Sequence, residues 1–130
     1  MIGLDTNIIV RYLAQDDPVQ SRKADACIGQ LSETRPGFLS LVVVAETAWV
    51  LKSVYRLSDA AIAMAVERLL QASELVVQNE QQVFYAIAMA KQGEASLADA
   101  LIGALGSQVG CDHTLTFDRK AARLPEFELL

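Results

Sequence analysis

The feature that most restricts the fold of this chain is a series of short apolar runs, each separated from the next by a segment with helical spacing. From the amino end, the runs are residues 1–4, 37–39, 74–77, 114–117 and 127–130. No tight hairpin signal joins two of them, so adjacent strands are expected to run in the same direction with helices covering both faces of the sheet. We therefore predict an α/β fold with a four- or five-stranded parallel sheet.

Helix boundaries are marked by residues that favour helix starts and ends. Ser40, Ser58 and Ser96 each precede an apolar periodic segment and are typical N-caps, and Pro18 is typical of a first helical turn. The spacing predicts helices that begin after residue 5 and at Pro18, further helices over 40–55, 58–72, 83–93 and 96–109, and a short basic helix over 119–123. Strands and helices thus alternate along the whole chain.

Composition supports a single domain over residues 1–130. Hydrophobic residues make up 52% of the chain, which is enough for one core without disulfides or structural metals. The longest apolar stretch, residues 83–90, is far shorter than the roughly 20 residues that a membrane helix needs, and the start lacks a basic signal region. We expect no membrane segment and a cytoplasmic location, and we predict that Cys27 and Cys111 are free thiols in the core.

The charge balance is acidic. Sixteen acidic residues against eleven basic ones give a formal net charge of −5. Such a surface does not favour nucleic-acid binding by bulk electrostatics. A nucleic-acid function would therefore need a local source of positive charge.

Two aspartates follow predicted strands. Asp5 comes after the first run and Asp118 after the fourth, and ligands of open α/β sheets bind outside the carboxyl ends of strands. If those strands are central, both carboxylates lie at the same sheet edge. Alternatively, each aspartate is only a helix N-cap.

Glu46 lies inside the most apolar helix, residues 41–51. Its neighbours three and four positions away are valines and a tryptophan, and none can pair with a carboxylate. If Glu46 is buried, it must be protonated, paired across the fold or bound to a cation. A structural ion pair or exposure at a groove edge remains the alternative.

Asp99 stands at the third position of its predicted helix, where it can form a capping box with Ser96. It also begins a stripe, at spacings of four, seven and eleven residues, whose other members are Gly103, Gly106 and Gly110. Glycine destabilises a helix, so we expect close packing of this stripe against a neighbouring element.

Oxygen-only ligands favour a particular kind of ion. Four acids in one pocket need a compensating cation, and Mg²⁺ or Mn²⁺ suits carboxylates, whereas zinc is disfavoured because His113 is the only histidine. No phosphate-binding glycine loop and no Gly-x-Ser-x-Gly elbow occurs. What remains is metal-assisted hydrolysis at phosphorus. Four basic residues could hold phosphates beside the metal: Arg11, Arg119, Lys120 and Arg123.

Taken together, these residues resemble a known family. Leu4-Asp5-Thr6-Asn7, Glu46 in an apolar helix, Ala98-Asp99-Ala100-Leu101-Ile102, and Leu115-Thr116-Phe117-Asp118-Arg119-Lys120-Ala121 occur in the order typical of PIN domains. The resemblance runs across nearly the whole chain. More narrowly, the chain resembles VapC-type toxins of bacterial type II toxin–antitoxin pairs.

The resemblance implies a three-layer α/β/α fold and a metal-dependent endoribonuclease. Asp5, Glu46, Asp99 and Asp118 match the family's acidic positions, with Asp5 and Asp99 as the direct ligands of Mg²⁺ or Mn²⁺. Asn7 and Thr116 match positions that steady the acids or the attacking water through hydrogen bonds. RNA is the implied substrate, and a homodimer silenced by a small antitoxin is the implied assembly. Ser96 stands where close relatives often carry a further acid, which leaves the number of metals open.

Two other functions remain open at this stage. An aspartate-nucleophile phosphatase also places an aspartate after its first strand, although such enzymes commonly carry a second aspartate where this chain has Asn7. Alternatively, the acids are caps and salt bridges, and the domain only binds a partner. As a separate hypothesis, the apolar surface around Ile8, Tyr12 and the second helix contacts a second copy or the antitoxin.

Overall fold

A computed structural model describes all 130 residues. The first half of the chain contains β1 (Ile2–Gly3), α1 (Thr6–Ala14), α2 (Pro18–Gly29), β2 (Gly37–Leu39), α3 (Leu41–Ser53) and α4 (Asp59–Gln71). The second half contains β3 (Leu75–Val77), α5 (Glu80–Lys91), α6 (Leu97–Gln108), β4 (Thr114–Thr116), a short 3₁₀ helix (Ala121–Arg123) and β5 (Phe127–Leu129). The predicted alternation of strands and helices is therefore confirmed.

Serine side chains define the starts of three helices. The Ser40 hydroxyl accepts a hydrogen bond from Val43 N, and Ser58 and Ser96 act in the same way at the starts of α4 and α6. Each serine satisfies one of the backbone N–H groups that a first helical turn leaves without a partner. These caps fix where each helix starts relative to the preceding strand or loop.

The α/β class and the parallel strands are confirmed, but a single sheet of four or five strands is not observed. β1, β2 and β3 form a three-stranded parallel sheet in that order, with β2 in the centre. β4 pairs in parallel with β5 in a separate two-stranded sheet. Because β1 is an edge strand and β4 belongs to the other sheet, the condition under which Asp5 and Asp118 would lie at the same sheet edge is not met.

The core draws on nearly every element. Twenty-one buried residues form one cluster, in which Leu39, Ile87 and Val83 are among the most deeply buried. Side chains from α1, α3, α4, α5 and α6 contribute to it, and Leu124 adds a contribution from the segment before β5. The helices that carry the candidate acids are thus anchored to a common core.

Cysteine burial differs from the prediction. Cys27 is partly buried and packs against the core, whereas Cys111 is exposed just after α6. The chain must turn there, and Gly110, with φ of 91°, makes the left-handed turn that leads out of the helix. Both thiols are free, as predicted.

None of the helices combines the length and apolar character that crossing a bilayer requires.

Candidate active site

A cleft between α1 and α3 contains several of the predicted site residues. It has a volume of about 510 Å³ and is lined by ten residues: Asp5, Thr6, Asn7, Val10, Arg11, Asp16, Glu46, Val50, Val54 and Tyr55. Helical geometry explains why they meet. Asn7 and Arg11 lie four residues apart on α1, as Glu46 and Val50 do on α3, and residues at this spacing share a helix face.

Asp5 joins β1 to α1. Its Oδ1 accepts a hydrogen bond of 2.7 Å from the backbone N of Thr6, while Oδ2 has no hydrogen-bond partner within the chain. Asp5 is therefore the N-cap of α1, as the alternative interpretation proposed. Because only one carboxylate oxygen is used for capping, the other is available for a ligand in the cleft.

Glu46 is exposed and lines the cleft, so the alternative of exposure at a groove is the one observed, and burial does not force protonation, pairing or cation binding. Two of the four neighbours that suggested burial are themselves exposed, since Val42 retains 73% and Trp49 66% of its accessible surface. The carboxylate of Glu46 makes no hydrogen bond and no ion pair within 4.0 Å. Its position on the wall opposite Asn7 places a second carboxylate in the cleft with Asp5.

Asp99 is half-buried in the first turn of α6, outside the residues that line the cleft. Its backbone N donates to Ser96 Oγ at 3.2 Å, which is one half of a capping box. The carboxylate does not complete the box, because it accepts no hydrogen bond from the chain. Helix α6 packs against α3, the helix that carries Glu46.

Asp118 lies in the loop after β4 and is also outside the cleft. Its Oδ1 accepts hydrogen bonds from the backbone N of Lys120 at 2.8 Å and of Ala121 at 3.2 Å. Its own backbone N donates to Thr116 Oγ1 at 3.0 Å. Thr116 therefore holds the loop of Asp118, and the observed role of Asp118 is to accept backbone hydrogen bonds at the start of the 3₁₀ helix.

The structure thus brings Asp5, Asn7 and Glu46 together but does not gather all four acids. Nowhere in the chain do three histidine, cysteine, aspartate or glutamate side chains lie close enough to hold a metal ion. The chemistry of the donors still suits a hard cation, because only oxygen ligands face the cleft beside Asp5 and Glu46. Neither carboxylate has a basic partner, so their charge is not neutralised by the protein.

Two residues of the cleft were missed by the sequence analysis. The Tyr55 hydroxyl donates a hydrogen bond of 2.7 Å to Asp16 Oδ2, which lowers the pKa of Asp16 and raises the pKa of Tyr55. Arg11 binds both of them. The signal for Asp16 was its place in an Asp-Asp-Pro turn, but nothing local places Tyr55, which is 39 residues further along the chain.

The glycine stripe of α6 has the close contacts that we expected for two of its members. A Cβ on Gly103 would lie 2.7 Å from Phe127 Cε2, and one on Gly106 would lie 2.8 Å from Thr114 Oγ1. Gly110 has open space instead, and its role is the turn after α6. The two glycines therefore let α6 approach the β4–β5 sheet.

His113 and Ile8 both lie outside the lining of the cleft. The Nε2 atom of His113 lies 3.4 Å from Glu128 Oε2 of β5. Ile8 is partly buried and packs against the core, so it offers less free surface for a partner than the sequence suggested.

Comparison with known protein families matches residues 2–126 to the PIN domain. Because the match covers nearly the whole chain, the protein belongs to the PIN domain family. Neither curated proteins nor solved structures give a significant match. PIN domains are typically metal-dependent nucleases, so the family places this chain on a nuclease fold.

Proposed function

We propose that this protein is a metal-dependent endoribonuclease and the toxin of a type II toxin–antitoxin pair. The observation that carries the proposal is the cleft between α1 and α3, where Asp5 and Glu46 face the same space without basic partners. Carboxylates left unneutralised in one cleft repel each other unless a cation enters. Membership of a family of nucleases supports phosphodiester hydrolysis as the reaction.

Asp5 and Glu46 are the proposed ligands of Mg²⁺ or Mn²⁺ in the cleft, and the family resemblance adds Asp99 and Asp118, which lie outside its lining. When bound, such an ion polarises the phosphoryl oxygens and stabilises the leaving oxygen. The Oδ2 atom of Asp5 has no other partner, so it can bind the ion without giving up its cap. The carboxylate of Glu46, exposed and unpaired, can accept the proton of an attacking water. The amide of Asn7, on the same cleft wall as Arg11, can orient that water or the phosphate.

RNA is the proposed substrate, and the cut is expected where its bases are unstacked, as in the loop of a structured RNA. A small antitoxin and a second copy of the chain are the proposed protein partners. Support for these partners comes from the order of the acidic motifs along the chain, which is that of VapC-type toxins. We expect a small open reading frame next to the gene for this chain, and co-expression of its product should remove toxicity and RNA cleavage together.

The proposal is tested by incubating the purified chain with structured RNA and Mg²⁺, then repeating the assay with EDTA and with Asp99→Asn. Glu33→Gln is the matched control, because Glu33 is exposed and makes no contact in the cleft. We expect cleavage by the wild type and the control only. Persistent cleavage both in EDTA and by Asp99→Asn would reject the metal site, and no cleavage of any RNA would favour a partner-binding domain.

The phosphatase alternative makes a different prediction about Asp5. A covalent mechanism requires a phosphoaspartate at that position. Incubation with a phosphoryl donor, followed by acid quench and mass spectrometry, would detect it. We expect no added phosphate on Asp5, and a stable adduct there would favour the phosphatase.

A further inference from the structure

The cleft holds a single basic residue, Arg11, among its ten lining residues. The other basic candidates from the sequence lie elsewhere, and one of them, Lys120, is paired with Asp59 of α4 at 3.3 Å. Two unpaired carboxylates make the cleft repel a polyanion. For an RNA backbone that enters the cleft, Arg11 is therefore the one lining residue with which a direct charge–charge contact is favourable.

Arg11 is held in position from three sides. Its Nε donates to Gln20 Oε1 at 2.7 Å, and its Nη1 lies 3.1 Å from Asp16 Oδ1 and 3.3 Å from Tyr55 Oη. The Nη2 atom makes no hydrogen bond within the chain, and 32% of the side chain remains accessible. The guanidinium is therefore oriented before any ligand arrives and still has free donors.

The place of Arg11 along α1 relates it to the acids. It follows Asp5 by six residues, which corresponds to roughly 9 Å along a helix axis. A phosphate at Arg11 is thus separated from one at the carboxylates, although both lie in the same cleft. This separation fits two phosphates of one strand, one at the acids and the other at the guanidinium.

We propose that Arg11 binds a phosphate of the RNA strand next to the one that is cut, and that Asp16 and Tyr55 act as positioning residues for its guanidinium. This inference rests on the proposed function, because it specifies how that site takes its substrate. The planar guanidinium can offer two parallel donors to a phosphate, which lysine cannot. Fixing it beforehand lowers the entropy lost on binding.

The test measures RNA binding without catalysis. Fluorescence anisotropy of a fluorescein-labelled single-stranded RNA is recorded in EDTA over a series of KCl concentrations for the wild type and for Arg11→Gln. We expect the Kd of Arg11→Gln to rise about tenfold or more, as for loss of a charged hydrogen bond. The slope of log K against log salt should fall by about 0.7, the value for one lost phosphate contact on a single strand.

Arg22→Gln is the matched control, because Arg22 is exposed on α2 and lies outside the cleft, while the change in net charge is the same. Equal Kd values and slopes for the two variants would overturn the inference, as would failure of the wild type to bind RNA. Because the assay contains no metal, its result is independent of whether the chain cleaves RNA. The two proposals can therefore fail separately. Weaker RNA binding by Arg11→Gln supports this inference even if the chain does not cleave RNA, and cleavage by the wild type supports the proposed function even if Arg11→Gln binds RNA normally.

Folding and positioning are checked with two more variants. If Arg11→Gln does not fold, Arg11→Lys keeps the charge and should weaken binding while retaining the salt slope. Tyr55→Phe should weaken binding in the wild-type background but have no further effect when combined with Arg11→Gln. Equal effects of Tyr55→Phe in both backgrounds would show that Tyr55 does not act through Arg11.

Discussion

Asp5 illustrates how one residue can both cap a helix and serve a site. One of its carboxylate oxygens accepts the hydrogen bond from Thr6, and the other has no partner in the chain. The N-cap interpretation and the ligand interpretation therefore do not exclude each other. They differ in what each predicts for loss of the charge alone.

Asp5→Asn should abolish RNA cleavage and leave the metal-free protein as stable as the wild type or more stable. Asparagine keeps the oxygen that accepts from Thr6 but removes the charge that repels Glu46. Asp5→Ala, by contrast, should lower the free energy of unfolding by about 1 kcal/mol through loss of the cap. Thermal melting in EDTA measures both. Destabilisation of Asp5→Asn as large as that of Asp5→Ala would mean that the charge itself supports the fold.

The exposure of Glu46 could not be predicted from its neighbours in sequence. Apolar neighbours along α3 suggested burial, but hydropathy reports which side chains favour burial and not whether another element covers them. No neighbouring element covers Val42 and Trp49 in this chain, so they stay exposed and Glu46 stays exposed beside them. Glu46 does line the cleft with Asp5, but its predicted burial was wrong.

Among the elements, α6 depends on close packing at Gly103. Gly103→Ala should lower the free energy of unfolding by about 1–3 kcal/mol, because the added methyl would overlap the Phe127 ring of β5. Gly29→Ala in α2 is the control: a Cβ there meets nothing within 4 Å, and alanine should stabilise the helix by up to about 1 kcal/mol. Urea unfolding measures the free energy of unfolding of both variants, which should fall for Gly103→Ala and rise for Gly29→Ala. A gain in stability for Gly103→Ala would contradict the close packing of Gly103 against Phe127.

Tyr85 links α5 to the segment before β5 through a hydrogen bond from its hydroxyl to Glu126 Oε1. Burial, together with this bond to the carboxylate, raises the pKa of Tyr85 from 10.0 to about 12. An unfolded tyrosine ionises near pH 10, whereas folded Tyr85 keeps its proton. This contribution to the free energy of unfolding is therefore complete below pH 10 and is lost as the pH rises towards 12.

The comparison with Tyr85→Phe isolates this effect, because lysines also titrate in the same range. Urea unfolding at pH 9, 10 and 11 should show a steeper loss of stability in the wild type than in Tyr85→Phe. Parallel pH profiles for the two proteins would contradict the raised pKa.

Local signals predicted the elements well. Serine caps, Pro18 and short apolar runs located all six α-helices and all five strands to within a few residues, because caps and hydrophobic spacing act over one or two turns. The pairing of strands was not predicted. Which strands share a sheet depends on contacts between segments far apart in sequence, and no local pattern in β1 or β4 specifies its partner.

At the scale of the whole molecule, local patterns again predicted some members of the site but not the contacts between segments that are far apart in sequence. The fold brings Asp5, Asn7 and Glu46 into one cleft and leaves Asp99 and Asp118 outside its lining. Residues joined by one helix face could be grouped from the sequence, as Asn7 and Arg11 show. The meeting of Arg11 with Tyr55, 44 residues away, could not.

The acidity of the whole chain affects how it can bind RNA. A net charge of −5 opposes RNA binding at long range, so association must depend on local contacts, and the cleavage step on the cation that we propose the carboxylates hold. Metal binding is therefore the property on which cleavage depends most directly.

Calorimetric titration of the metal-free protein with MnCl₂ tests this claim without requiring knowledge of the RNA target. We expect the wild type and Glu33→Gln to bind Mn²⁺ with equal affinity. Asp5→Asn, Glu46→Gln and Asp99→Asn should each raise the Kd at least about tenfold, as expected for loss of a charged ligand. Equal affinity in all five proteins, or no binding to the wild type, would contradict this claim.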